Sequence, residues 1–173
     1  MRLFTAIEPP VQLLPQLTKL CQGVPSIRWS DPNQLHLTLV FIGEVPDTQL
    51  KPISEALGQI EFATFELRCR RIGLFRSGSL WLGVEPCQPL QQLQQKQQRI
   101  LQRFPSIRIR SRRFLPHWTL GRFRRQQRPD LSSYIERNQD LDINIPVDRY
   151  ILKSSRLLEQ GAQHRSEYEY LAE

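Results

Sequence analysis

Leu35-His36-Leu37-Thr38-Leu39 and Pro116-His117-Trp118-Thr119-Leu120 are two versions of one short segment, and their reading decides the fold. Successive side chains of an extended chain alternate between faces, so each His and the Thr two residues on point one way and their apolar neighbours the other. A polar pair is displayed from a buried strand, and this happens twice, with His36 and His117 81 positions apart. Proline and polar residues lead into each copy. The doubling predicts two similar half-modules facing a common cleft.

Outward from the first copy, Arg2 to Ile7 reads as a strand, and Leu13, Leu14, Leu17, Leu20 and Cys21 recur at helical spacing before Gly23. Ile27 to Trp29 reads as a short strand and Ser30-Asp31-Pro32-Asn33 as a turn. The first His-x-Thr strand runs from Leu35 to Ile42, ending at Gly43. Asp47 is the expected N-cap of a helix with Leu50, Ile53, Leu57 and Ile60 on one face. Phe65 to Arg70 alternates apolar and charged residues, Ser79 to Val84 is another strand, and Leu90 to Phe104 is a helix. Eight glutamines between Gln88 and Gln102 clothe the solvent side of that helix, because apolar residues interrupt them at helical period.

Around the second copy, Ile107-Arg108-Ile109-Arg110 alternates again and the motif strand begins near Leu115. A short helix is predicted near Leu131 to Ile135, and strands over Leu141 to Val147, Arg149 to Ser154 and Tyr168 to Leu171. Seven to nine strands with three or four helices make an α+β chain with mostly antiparallel pairing.

At 173 residues the chain fits one domain, 1–173, or one domain made of two lobes, and no apolar run approaches the roughly 18 residues of a membrane span. The amino terminus enters a strand without the apolar core of a signal peptide, so a cytoplasmic location is expected. Cys21, Cys69 and Cys87 are odd in number and widely spaced, which fits reduced thiols and neither a disulfide framework nor a zinc site. The net charge is +7, and only Lys19, Lys51, Lys96 and Lys153 are lysines among the 24 basic residues. Arginine binds phosphate as a planar fork, so the bias suits a phosphate-bearing partner, although a solvated basic surface accounts for composition equally well.

Two imidazoles on one cleft can divide acid and base work, because one can hold a proton near pH 7 while the other is neutral. Hydrolysis of a phosphodiester needs both functions, and the threonine beside each His can donate to a non-bridging phosphate oxygen. A lone His-x-Thr is ordinarily a satisfied structural pair. Two in matched frames, in a chain with three histidines, point to a shared task. The third, His164, sits in the polar run Gly161 to Arg165 and reads as an exposed loop residue. Arg108, Arg110, Arg112 and Arg113 precede the second copy, and Arg122, Arg124, Arg125 and Arg128 follow it. Arg122 is the expected phosphate contact, on condition that Gly121 permits a bulge, because strict alternation would put it opposite His117 and Thr119. Trp29, Phe75, Trp81, Trp118 and Tyr150 are candidate stacking aromatics, with Trp118 expected in the core.

The paired motifs, framed by Arg2-Leu3-Phe4-Thr5-Ala6-Ile7, Phe41-Ile42-Gly43-Glu44-Val45, Leu80-Trp81-Leu82-Gly83-Val84 and Gly121-Arg122, resemble the 2H phosphoesterase superfamily. Within it the likeness is to the RNA 2′,3′-cyclic phosphodiesterases, historically called 2′-5′ RNA ligases, and it covers nearly the whole chain. The resemblance implies a bilobal α+β fold of two mostly antiparallel sheets with flanking helices, a pseudo-two-fold axis and a groove between lobes. It also implies metal-independent opening of 2′,3′-cyclic phosphates to 2′-phosphomonoesters, without cofactor, on RNA ends or cyclic nucleotides; nothing in the sequence demands more than a monomer. His36 would then give a proton to the leaving 3′ oxygen and His117 take one from water, with Thr38, Thr119 and Arg122 on the phosphate. Weak 2′-5′ RNA end joining and non-catalytic RNA binding are the alternatives. The segment Gln163-His164-Arg165 departs from the small-and-aromatic turn usual in the family.

Overall fold

Alternating strands separated by short turns pair antiparallel, and every strand pair here does so. The structure, a computed structural model, describes residues 1–109, 113–158 and 161–173. Among them the chain runs β1 (Arg2–Ile7), α1 (Leu14–Leu20), β2 (Arg28–Trp29), β3 (Leu37–Glu44), α2 (Leu50–Leu57), β4 (Phe65–Phe75) and β5 (Ser79–Val84). It continues with α3 (Gln88–Leu101), β6 (His117–Arg122), α4 (Ser132–Arg137), β7 (Ile143–Val147), β8 (Arg149–Leu158) and β9 (Gly161–Leu171). The strands lie in the order β7-β4-β5-β6-β3-β1-β8-β9, with β2 on β6.

That order places the two motif strands side by side. β3 and β6 meet at one pair, Leu37 with Trp118, and three strands extend outward from each. Next to each motif strand is a six-residue strand, β1 or β5, and beyond it a long one, β8 or β4. α1 follows β1 on the way to β3, as α3 follows β5 on the way to β6. The two expected sheets thus join at a one-residue seam, with the motif residues on either side of it.

The apolar faces of the strands meet the helices in one core. Leu3, Leu37, Leu67, Leu80, Leu82 and Trp118 are fully buried in it. Polar ties fix the helices: the Thr5 hydroxyl donates to Gln97 of α3 at 2.6 Å, Tyr150 donates to the Leu57 carbonyl of α2 at 2.8 Å, and Tyr134 of α4 donates to the Leu20 carbonyl of α1 at 2.6 Å. Each satisfies a buried hydroxyl that would otherwise cost about 1–3 kcal/mol. Cys21, Cys69 and Cys87 are free, and burial pushes the Cys21 and Cys69 thiols up to about 11 and about 12, so neither supplies a thiolate.

Several boundaries differ from the sequence reading. The first motif strand begins at Leu37 because a 3₁₀ turn, Pro32–Gln34, capped by Asp31 on the Asn33 N–H at 2.9 Å, occupies the residues before it. Asp47 caps nothing and instead accepts from the Met1 ammonium at 3.1 Å, with a 3₁₀ turn preceding α2. Residues 107–109 carry no strand, while Arg110 and Arg112 lie outside the described residues. The largest correction is at the carboxyl end. β9 starts at Gly161 and pairs along β8 from Leu158 to Arg149, so His164 is a strand residue opposite Ser155 and not part of an exposed loop. No helix among the described residues is long and apolar enough to cross a membrane.

Candidate active site

The two motifs are held in the same way. His36 Nδ1 lies 2.7 Å from the Gln34 carbonyl oxygen and His117 Nδ1 lies 2.7 Å from the Leu115 carbonyl oxygen, two residues upstream in both cases. A carbonyl only accepts, so Nδ1 carries the proton in each neutral ring and Nε2 keeps its lone pair for chemistry. Each ring's tautomer is therefore set by its own lead-in segment, through the backbone, with no carboxylate involved.

Gly121 provides the bulge that Arg122 needs. Trp81 pairs with Thr119 but Leu80 pairs with Gly121, so Leu120 is an extra residue in β6. Leu120 and Gly121 both turn inward, and Arg122 emerges on the side of His117 and Thr119. A side chain at 121 would meet Ile27 Cγ2 at 2.5 Å, so the close crossing of β2 requires glycine there. The Ser30 hydroxyl donates to the Thr119 carbonyl at 2.7 Å and the Ser30 N–H to the Leu120 carbonyl at 2.8 Å, which pins the bulged strand from outside. Ser79, buried on β5, accepts from Arg122 Nη1 at 3.0 Å and fixes one edge of the guanidinium.

His36, Thr38, His117, Thr119 and Arg122 all line one cleft of about 580 Å³ at the β3–β6 seam. Arg2, Phe4, Trp29 and His164 are also in its wall, and Asp31 is its one acidic residue among those described. The remaining arginines named in the sequence divide: Arg108 and Arg113 line a neighbouring hollow that shares Thr38 and His117, and Arg124, Arg125 and Arg128 are on neither wall. Among the described residues no group of three His, Cys, Asp or Glu side chains is arranged as metal ligands.

The cleft disfavours protonated imidazole. Burial above all pushes His36 down to about 4; the Gln34 carbonyl works against that, and His164, Lys153 and Arg122 add to the fall. Burial also lowers His117 below its usual 6.5, opposed by the Leu115 carbonyl and assisted by Arg122. His164 is lowered by burial and by Lys153, Arg122 and Arg2. At neutral pH the free site therefore holds neutral imidazoles in a cationic surround, an arrangement suited to receiving an anion.

His164 is the cleft residue that sequence reading misplaced. Its ring centre is 5.0 Å from that of His36 and 5.0 Å from that of Phe4, both edge-on, and its backbone N–H donates to the Gln34 side chain at 3.2 Å. Gln34 thus holds His36 with its carbonyl and β9 with its amide. Ser79 was likewise not singled out, and its only sequence signal was its place at the start of a strand. Of the stacking candidates, Trp118 and Tyr150 are fully buried, Trp29 leans on Tyr134 with centres 5.7 Å apart, and Trp81 and Phe75 flank His117.

Comparison with known proteins agrees with this fold. The profile described as LigT-like phosphoesterase matches residues 7–81. The RNA 2′,3′-cyclic phosphodiesterase of Aeropyrum pernix is 31% identical over 157 residues, covering 87% of this chain and 88% of the relative. That of Archaeoglobus fulgidus is 28% identical over 169 residues, covering 93% and 94%. The crystal structure of E. coli LigT in apo form superposes with a TM-score of 0.80 at 26% identity over 99% of this chain and 96% of that one. Its complex with 3′-AMP superposes with a TM-score of 0.78 at 25% identity over 99% and 97%.

Proposed function

Because the chain belongs to the LigT-like phosphoesterases of the 2H superfamily and is a phosphodiesterase, we propose that it opens 2′,3′-cyclic phosphate ends of RNA to 2′-phosphomonoesters, without a metal, by paired histidine catalysis. The observation that carries this reading is the matched pair: two imidazoles with the same Nδ1 anchor and a threonine beside each, lining one cleft. One chain supplies every group, in two lobes with one motif each, so a monomer suffices.

Water attacks phosphorus as His117 Nε2 takes its proton, and the P–O3′ bond breaks as His36 gives a proton to O3′. The 2′-phosphate and a 3′-hydroxyl result, and the two rings end with their protonation exchanged, to be reset through solvent. Thr38 and Thr119 donate to non-bridging oxygens, and Arg122, steadied by Ser79, faces the same charge.

His36 must hold a proton in this scheme, although its pKa in the free site is about 4. Substrate supplies the remedy. A negative phosphate about 4 Å from the ring, at an effective dielectric near 20, favours the protonated form by about 4 kcal/mol, or about three pH units. That restores His36 to the neutral range only when the anion is bound, so acid form and substrate arrive together. The titrations of the rings are coupled.

The test is release of 2′-phosphate from an oligonucleotide ending in a 2′,3′-cyclic phosphate, in excess chelator. Turnover that persists is expected, and turnover abolished by the chelator refutes metal independence. RNA binding with no turnover of any cyclic end would make the protein a non-catalytic binder with steep salt dependence. End joining through a 2′-5′ bond is the same ring opening with a 5′-hydroxyl in place of water: the 5′ oxygen bonds to phosphorus as the P–O3′ bond breaks, and the same groups move the protons.

A further inference from the structure

Five arginines lie where two loops meet beside the cleft, and the catalytic scheme uses one of them. The turn between β4 and β5, 76–78, carries Arg76, and the segment 121–129 carries Arg122, Arg124, Arg125 and Arg128; neither stretch contains an aspartate or glutamate. All five arginines are exposed. Among the described residues no carboxylate is ion-paired with any of them. A surface that serves solubility alone intersperses both signs. Like charges gathered without counter-charge repel one another, a cost that an anionic partner relieves.

The two loops are locked together through their backbones. The Phe123 N–H donates to the Gly78 carbonyl at 2.9 Å, and a Cβ at Gly78 would fall 2.4 Å from the Phe123 carbonyl oxygen and 3.8 Å from the Arg125 nitrogen. Gly78 also has φ +91°, so only glycine permits this approach. A 3₁₀ turn, Arg125–Gln127, follows, in which the Gln127 N–H donates to the Arg124 carbonyl at 2.8 Å. Arg122 stands opposite Ser79, the first residue of β5 after the other turn. The patch therefore starts at the arginine that lines the cleft and continues outward on a fixed backbone.

We propose that this patch docks the RNA strand on the 5′ side of its cyclic end, through its phosphates, so that the protein takes oligonucleotide ends in preference to free cyclic nucleotides. The proposal rests on the phosphodiesterase reading above and deepens it by naming the substrate class. A 2′,3′-cyclic phosphate closes its strand at the 3′ end, so the rest of the chain leaves the cleft in one direction, through O5′ of the same ribose. One flanking patch suffices, and it has to adjoin the cleft. Phosphate contacts position a strand without reading its sequence, so no base preference is expected upstream. The other arginine-bearing hollow, with Arg108 and Arg113, is walled also by Phe41, Phe75, Phe114 and Leu115, which suits a polyanion less.

The triple variant Arg124→Ala/Arg125→Ala/Arg128→Ala removes three of the charges and leaves Arg122 and the cleft in place. At physiological salt it should raise KM about 10- to 100-fold for an oligonucleotide ending in a 2′,3′-cyclic phosphate. The slope of log KM against log salt should fall by about 2, at about 0.7 for each phosphate contact on a single strand. KM for adenosine 2′,3′-cyclic phosphate, and kcat for both substrates, should stay within about twofold, because exposed charges beyond a Debye length are screened. Equal changes on the two substrates overturn the proposal, as does an oligonucleotide-specific loss that appears in Arg108→Ala/Arg113→Ala and not in the triple variant. Binding of an oligonucleotide ending in a 2′-phosphate, read by fluorescence anisotropy, separates this from the catalytic reading. Weaker binding with a shallower salt slope in the triple variant upholds the docking surface even if no cyclic end is cleaved. An unchanged affinity overturns it and leaves the arginines to another acidic partner.

Discussion

The two halves of the cleft hold their histidines identically and surround them differently. Both rings give Nδ1 to a carbonyl two residues upstream at 2.7 Å. Around His36 the wall is polar and crowded: His164 and Phe4 pack on the ring, and Lys153, 4% exposed, is paired with Glu8 and Ser166 close by. Around His117 it is aromatic, with Phe75 and Trp81 edge-on and a hollow beyond. The shared anchor leaves Nε2 free on both rings, and the surrounds differ. In the proposed mechanism the half-buried His36, beside His164, Lys153 and Arg122, takes the acid role when an anion arrives, and His117, beside Arg122 and bordered by aromatics, takes the base role.

Removing either ring should produce the largest effect. His36→Ala and His117→Ala should each lower kcat on a cyclic-ended oligonucleotide by about 10²- to 10⁴-fold. The double variant should be little worse than either single, because groups that act as one unit are not additive. Single-turnover rates check this, and near-wild-type turnover in either single variant would end the paired-histidine reading. Smaller losses, about 10²-fold each, are expected for Thr38→Val and Thr119→Val, which keep the shape and delete the hydroxyl. Thr→Ser at the same positions should recover most of the activity, and a failure to recover it would assign the threonines to packing alone.

How much of this was legible beforehand follows from where the signal lay. The motif strands could be read because one face is buried and one displayed, so the period-2 pattern of Leu37, Leu39, Trp118 and Leu120 survives in the sequence. The bulge could be inferred because Gly121 interrupts that pattern beside Arg122, the expected phosphate contact. β9 could not. It is the outermost strand, and Ala162 to Glu169 are exposed or half-buried, so no apolar alternation announces it. Its register is imposed by β8, a tertiary constraint that no local window contains. His164 was misplaced for that reason and not through any peculiarity of its own. The resemblance to a known family supplied the direction of proton transfer, which the nearly matched motifs alone leave undecided.

The smallest expected effect concerns His164 and tests the asymmetry itself. Two rings with centres 5.0 Å apart share one cationic pocket, so a proton on one opposes a proton on the other. His164→Gln removes that opposition while keeping a polar side chain. His36 should then titrate at higher pH in the free protein, by about half to one pH unit for charges ~5 Å apart in solvent-like dielectric, yet stay below 6.5 because burial remains the larger cause. The sign carries through to stability. His36 has a folded-state pKa below its unfolded value, so the unfolded chain takes up the proton first, and stability is lost as pH falls from about 6.5 toward 4. Raising the folded value in His164→Gln narrows that window and lessens the loss in acid. In turnover, the alkaline limb, set by loss of the His36 proton, should move to higher pH, with kcat at the optimum within a few-fold of wild type. An NMR titration of the His36 ring decides the matter directly. An unmoved midpoint would mean that the two halves of the cleft differ only in packing, and that the neutral state of His36 owes nothing to the third histidine.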